Sequence, residues 1–260
     1  LAENNEQGTY LWSLGISITA LIVAFTSPIL GALADSGGYR KIILMLSSYL
    51  CIGATICLYF FEPDQHFNII GFNIDVAILA LFTFVIANIG FEFGTVFCNS
   101  YLSDLSTKKN IGKISGYAWG LGFVGGLISL AISFLVLDLS DTHDIRVINL
   151  LVAIWFFVFS LPTFLFVRDR KPEKSISKHF HQSLKSIIDS FKNISKHKLI
   201  LRFLIARLFY NDALITIFAF GGIYAAGTLN FDFNEILILG VVLNISACIG
   251  SFLFGFLEDK

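Results

Sequence analysis

Long apolar stretches alternate with short polar ones along the whole chain. After a polar start at 1–9, apolar runs cover 10–34, 42–61, 76–102, 114–137, 147–167, 203–226 and 235–257. An α-helix needs about 20 such residues to cross the roughly 30 Å hydrocarbon core of a bilayer. The pattern therefore predicts an all-α membrane protein with about seven transmembrane helices. Tyr10 and Trp12 open the first run, where amphipathic rings anchor a helix at the interface.

The polar connections alternate in charge. One set holds Arg40, Lys41, Lys108, Lys109, Lys113, the basic stretch 168–202 and Lys260, whereas the opposite set holds a single cation, Arg146. Cations accumulate on the cytoplasmic side, so the first set is placed there, and the acidic loops 62–75 and 138–146 face outward. Composition agrees: 14% of residues are charged and 55% are hydrophobic, against about 25% charged in soluble domains. Cys51, Cys57, Cys98 and Cys248 lie inside apolar runs without a C-x-x-C spacing. They read as small buried hydrophobes, and neither a metal nor a cofactor is expected. The chain begins without an initiator Met or a cleavable signal and is read as a piece of a longer protein.

The basic stretch carries a second pattern. Phe180, Leu184, Ile187, Ile188, Phe191 and Ile194 recur at helical spacing, with Lys178, Lys185, Lys192 and Lys196 on other faces. This predicts a basic amphipathic helix on the inner membrane surface, with membrane lipid and not nucleic acid as its partner. His179, His181 and His197 lie in the same connector and read as solvated polar residues.

One loop stands out. Gly31-x-x-x-Asp35-x-x-Gly38-x-Arg40-Lys41 joins the first two runs. Gly31 suits the close approach of another helix, Asp35 can pair with a cation or a helix N-terminus, and Gly37-Gly38 allow a tight reversal. A second copy, Gly255-Phe-Leu-Glu-Asp259, ends the chain; 255 − 31 and 259 − 35 are both 224. A repeat at that distance suggests two similar halves.

The loop resembles the signature between the second and third helices of the major facilitator superfamily, with Ser36 where that pattern usually carries a cation. The stretches Ser27-Pro28-Ile29-Leu30-Gly31-Ala32-Leu33-Ala34-Asp35, Val96-Phe97-Cys98-Asn99-Ser100-Tyr101-Leu102, Tyr210-Asn211-Asp212 and Gly222-Ile223-Tyr224-Ala225-Ala226-Gly227-Thr228-Leu229 narrow the resemblance. They are similar to the branch of autophagy-linked vacuolar amino-acid effluxers and their bacterial relatives. The resemblance implies that the seven spans are helices two to eight of a twelve-helix, two-bundle transporter. Residues 1–167 would form an N-terminal bundle lacking its first helix, 168–202 a cytoplasmic linker, and 203–260 the start of a C-terminal bundle. It further implies a small solute, amino acids in the fungal members, held at a central site with alternating access.

Polar side chains in lipid are costly and mark pathways. On the third run, Asn88, Glu92, Thr95 and Asn99 follow a spacing of four, three and four, which puts them on one helix face. Desolvation disfavours the charged form of a carboxylate at that depth unless a cation pairs with it, the usual arrangement for a proton-coupling acid; the structural alternative is interhelical hydrogen bonding. Tyr210, Asn211 and Asp212 form a second set, with Arg207 and Thr216 a turn away on either side. Asp212 suits a cation or a substrate ammonium, while Arg207 is close enough to the cytoplasmic end to snorkel. Gly112, Gly116, Gly120, Gly122, Gly125 and Gly126 predict tight packing on the fourth run.

No H-E-x-x-H, G-x-S-x-G or phosphate-binding glycine loop occurs, so an enzyme is not expected. These observations converge on a proton-coupled secondary transporter in a bacterial cell (inner) membrane. Asp35, Arg40, Lys41 and Asp259 would sit in its cytoplasmic gating loops. A non-transporting receptor or scaffold on the same fold is the rival from another class.

Overall fold

The computed structural model describes residues 5–63, 66–69, 72–137, 141–169, 185, 189 and 192–259. Seven of its helices are long and apolar enough to cross a membrane, and the fold is that of an all-α membrane protein. The long helices are α1 (Asn5–Gly37), α2 (Arg40–Leu58), α3 (Val76–Ser100), α5 (Ile111–Val136), α6 (Thr142–Phe166), α7 (Lys198–Gly227) and α8 (Phe233–Glu258), with a short α4 (Leu102–Leu105) after α3.

Local chemistry sets where these helices begin and end. The carboxylate of Asp75 accepts from the Ala77 N–H at 2.9 Å to cap α3, and that of Asp141 accepts from the His143 N–H at 2.9 Å to cap α6. Asp232 and Glu235 form a reciprocal capping box on α8. At the end of α1, Gly38 adopts φ 65° and the Tyr39 N–H bonds back to the Ala34 carbonyl at 3.2 Å, a Schellman closure that turns the chain into α2. Hydroxyls inside the spans donate to carbonyls four residues earlier, as Ser47 does to Ile43 and Thr55 to Cys51. No water is needed to satisfy them in lipid.

Two connections differ from the sequence expectation. α2 stops at Leu58, three residues short of 61, in a turn where Tyr59 and Phe60 donate back three residues. The loop 62–75 carries a two-stranded antiparallel hairpin, β1 (His66–Ile69) with β2 (Phe72–Asp75), pairing Asn68 with Asn73. The amphipathic helix expected in the basic stretch lies almost wholly outside the described residues, including Lys178, His179, Phe180, His181, Leu184, Ile187, Ile188 and Phe191.

The chain forms two compact units, residues 1–107 with 128–183, and 108–127 with 184–260. In the first, α2 packs between α3 and α6. A Cβ on Gly90 of α3 would lie 2.7 Å from the Ser47 carbonyl oxygen, so the α2 and α3 backbones touch where no side chain intervenes. A core cluster of this unit joins Ala34, Leu44, Phe97, Tyr101 and Phe164. In the second unit the opening turns of α5 pack on the last turns of α8.

Candidate transport pathway and cytoplasmic gate

The polar face of α3 is where the spacing puts it. Gly90, Gly94 and Phe97 are buried on the side packed against α2, and Asn88, Glu92, Thr95 and Asn99 lie on the opposite side at 100° per residue. Asn88, Glu92 and Thr95 are half-buried and Asn99 is exposed. None of the four has a hydrogen-bond or ionic partner among the described residues. On α1, the Thr19 and Ser27 hydroxyls are buried with no partner among the described residues.

On α7, Arg207, Tyr210, Asn211 and Asp212 are all exposed. The described ion pairs do not include Arg207 with Asp212, which sequence alone left open. This set belongs to the second unit and the α3 face to the first.

The two copies of the signature loop differ in surroundings. In the first, a Cβ on Gly31 would meet nothing within 4 Å, so the close helix approach expected there has no partner among the described residues. The side chain of Asp35 lies outside the described residues. Gly38 supplies the reversal, as expected. Arg40 pairs with Asp104 at 3.2 Å, and the Lys41 N–H donates to Asp169 Oδ2 at 2.8 Å.

In the second copy the contacts are complete. Asp259 Oδ1 accepts from the Gly112 N–H and Oδ2 from the Lys113 N–H, each at 2.8 Å. One carboxylate thus serves two otherwise orphaned donors at the start of α5, where the helix dipole also favours negative charge. The glycines permit it: a Cβ on Gly255 would lie 2.9 Å from both the Gly112 carbonyl oxygen and Gly116 Cα, and one on Gly116 would lie 2.5 Å from the Ser251 carbonyl oxygen. Lys113 Nζ lies 5.7 Å over the Phe256 ring. Deeper along the seam, the Cys248 thiol faces the Gly120 carbonyl at 3.6 Å.

Sequence reasoning missed Asp104 and Asp169 as partners of Arg40 and of the Lys41 N–H. The signal for Asp169 was present: a lone acid between Arg168 and Arg170, just after an apolar run. It also missed the partners of Arg146. Arg146 Nη1 donates to Glu62 Oε1 at 2.8 Å, its guanidinium lies 5.8 Å over the Tyr59 ring, and the Tyr59 hydroxyl meets His143 Nε2 at 3.4 Å. The described residues contain no cluster of side chains suited to a metal ion.

Comparison with known proteins follows the same direction. The family described as "Vacuole effluxer Atg22 like" matches residues 9–260. The uncharacterized MFS-type transporter YxiO of Bacillus subtilis is 26% identical over 98% of this chain and 58% of its own length. Autophagy-related protein 22 of Pichia angusta is 24% identical over 96% of this chain and 52% of its own. Autophagy-related protein 22-1 of Aspergillus fumigatus is 26% identical over 55% of this chain and 26% of its own. The chain therefore spans about half the length, or less, of these relatives. No solved structure matches.

Proposed function

Because this chain belongs to the Atg22-like vacuole effluxer family, we propose that it is part of a secondary active transporter that carries a small solute, an amino acid class of cargo, out of a compartment by alternating access. Its spans act as helices two to eight of twelve. Residues 1–167 contribute to one bundle, 203–260 to the other, and 168–202 link them across the cytoplasmic face. The near full-length similarity to a Bacillus protein favours a bacterial cell membrane.

The observation that carries the reading is the Asp259 cap on α5. On this division α5 belongs to one bundle and α8 to the other, so the cap and the glycine crossing join the bundles on the cytoplasmic side. Such a contact suits a gate. It is specific, because charge-assisted hydrogen bonds are directional. It is also separable, because water can replace the carboxylate at two part-buried amides of the first turn of α5, and glycine surfaces part without unlocking side chains. Solute would bind between the bundles near the midplane, as in transporters built from repeats. Asn88, Glu92, Thr95 and Asn99 would line one wall and Tyr210, Asn211 and Asp212 the other, with Glu92 titrating during the cycle. Asp35, Arg40 and Lys41 would form the companion gate.

A disulfide tests the gate. An added Cβ on Gly112 lies 2.9 Å from Glu258 Cβ, about 1 Å inside the usual disulfide separation. In the full-length protein, with its native cysteines replaced, Gly112→Cys with Glu258→Cys should cross-link on oxidation. Efflux of a radiolabelled amino-acid mixture from proteoliposomes should then stop and return on reduction. Undiminished efflux from protein shown by mass to be cross-linked would overturn the gate.

A further inference from the structure

Two helices placed on the cytoplasmic side each receive a carboxylate from far along the chain at their first turn. For α5 the donor of that carboxylate is Asp259. For α2 the N-cap position is Tyr39, whose side chain makes no capping bond, and the carboxylate comes from Asp169, 128 residues away. Asp169 uses both oxygens: Oδ2 takes the Lys41 N–H at 2.8 Å and Oδ1 takes the Tyr101 hydroxyl. Tyr101 is 4% exposed and belongs to the core with Ala34, Leu44, Phe97 and Phe164. Val167, two residues before Asp169, packs against that same core. Asp169 thus ties the start of α2, the end of α3 and the exit of α6 together within one unit.

From this geometry we infer that Asp169 is a fixed cap and a positioning residue: it holds the start of α2, and with it the loop Gly31–Lys41, in place through the transport cycle, while the Asp259 cap forms and breaks. The contrast follows from what surrounds each carboxylate. Asp169 is anchored by a buried tyrosine and a packed core, so releasing it would cost the whole corner. Asp259, among the described residues, accepts from two backbone amides across a glycine seam. Holding the loop in place presents Arg40 to Asp104 and orients the companion gate. The role in gating rests on the function proposed above; the fixed cap itself does not.

Hydrogen exchange on the full-length protein in nanodiscs separates the possibilities, using Gly112→Cys with Glu258→Cys on the cysteine-free background. The amides of residues 41–44 should exchange equally slowly in the oxidised and reduced forms, whereas those of 112–116 should exchange faster once reduced. Asp169→Asn should speed exchange at 41–44 at least tenfold and leave 112–116 unchanged in the oxidised form. Tyr101→Phe should produce a smaller increase at 41–44. The positioning role predicts in addition a several-fold slower oxidative cross-linking of the cysteine pair in Asp169→Asn, because a misplaced loop disfavours the closed state. Protection at 41–44 that falls on reduction as it does at 112–116 would overturn the fixed cap. Unchanged cross-linking with lost protection would reduce Asp169 to a local structural cap and sink the positioning role. Efflux that persists in the cross-linked protein would sink the gate alone, leaving the exchange results at 41–44 to stand or fall by themselves.

Discussion

Gly31 and Gly255 hold the same place in two copies of one loop yet meet different neighbours. A Cβ on Gly255 would press on backbone atoms of Gly112 and Gly116 at 2.9 Å, whereas one on Gly31 would meet nothing within 4 Å. Backbone cannot retreat as a flexible side chain can, so Gly255→Ala should destabilise this 260-residue chain by about 1–3 kcal/mol, the cost of overpacking. Gly31→Ala should be neutral or stabilise it by about 0.5–1 kcal/mol through helix propensity. Thermal unfolding of the two variants in detergent checks the pair, and equal losses would mean that the copies are packed alike. Glu92 makes its own prediction at this scale. Its carboxylate lies on a half-buried face with no hydrogen-bond or ionic partner among the described residues, and the proposed cycle has it titrate. Glu92→Gln in the full-length transporter should abolish the dependence of efflux on a proton gradient, and efflux by the variant that still follows the gradient would remove Glu92 from proton coupling. The residue types at both positions were legible in the sequence. Which glycine has a partner was not, because a glycine's role depends on the backbone that reaches it, and that backbone lies more than a hundred residues away.

At the scale of elements, α5 and α8 show how a seam is written. Asn244, Cys248, Ser251, Gly255 and Asp259 follow each other by four, three, four and four residues, so they form one stripe of α8. Gly112, Gly116, Gly120 and Gly126 of α5 face that stripe. The sequence showed the glycines of α5 and predicted tight packing; it hid the partner helix, because small residues on α8 are scattered among large apolar ones. The aromatic rings that flank the seam, Tyr117 with Phe252 and Phe256, read equally well as lipid-facing from sequence alone. Helix starts were legible unevenly: Asp75 directly precedes the run at 76 and Asp232 lies three residues before the run at 235, whereas Asp141 lies six residues before the run at 147, because the first turn of α6 is polar. The hairpin was harder. Phe67 and Ile69, then Phe72 and Ile74, alternate with Asn68 and Asn73, but four-residue strands give too few repeats of period two to separate from a loop. An asymmetry at this scale can be measured. Asp232→Ala removes a capping box at the outward end of α8 and should cost about 1 kcal/mol of stability without altering the rate at which Gly112→Cys and Glu258→Cys cross-link. Asp259→Asn, at the other end of the same helix, should slow that cross-linking several-fold. If both variants changed the rate equally, the seam would be responding to the stability of α8 as a whole.

Across the whole molecule, hydropathy and charge fixed more than any motif. The bilayer imposes its thickness on every span, so the seven apolar runs correspond to seven observed helices to within a few residues. The distribution of Lys and Arg then gives the expected orientation. Arg146, the one cation of the opposite set of loops, is held by Glu62 and the Tyr59 ring. On the opposite side, Arg40 is paired, but Lys108, Lys109 and the basic stretch keep a cationic excess. Such an excess is retained in the cytoplasm during insertion, and one misassigned span would break the alternation. The orientation therefore predicts a single pattern of access. In intact cells making the full-length protein without native cysteines, a membrane-impermeant maleimide should label Pro63→Cys, in the connection after α2. It should leave Lys109→Cys, between α4 and α5, unlabelled until the membrane is permeabilised. Labelling of both positions before permeabilisation would mean that the spans do not cross as the charges direct. The Asp259 cap would then face neither a common aqueous side with Arg40 nor any gate, and the transport reading would fail together with the topology.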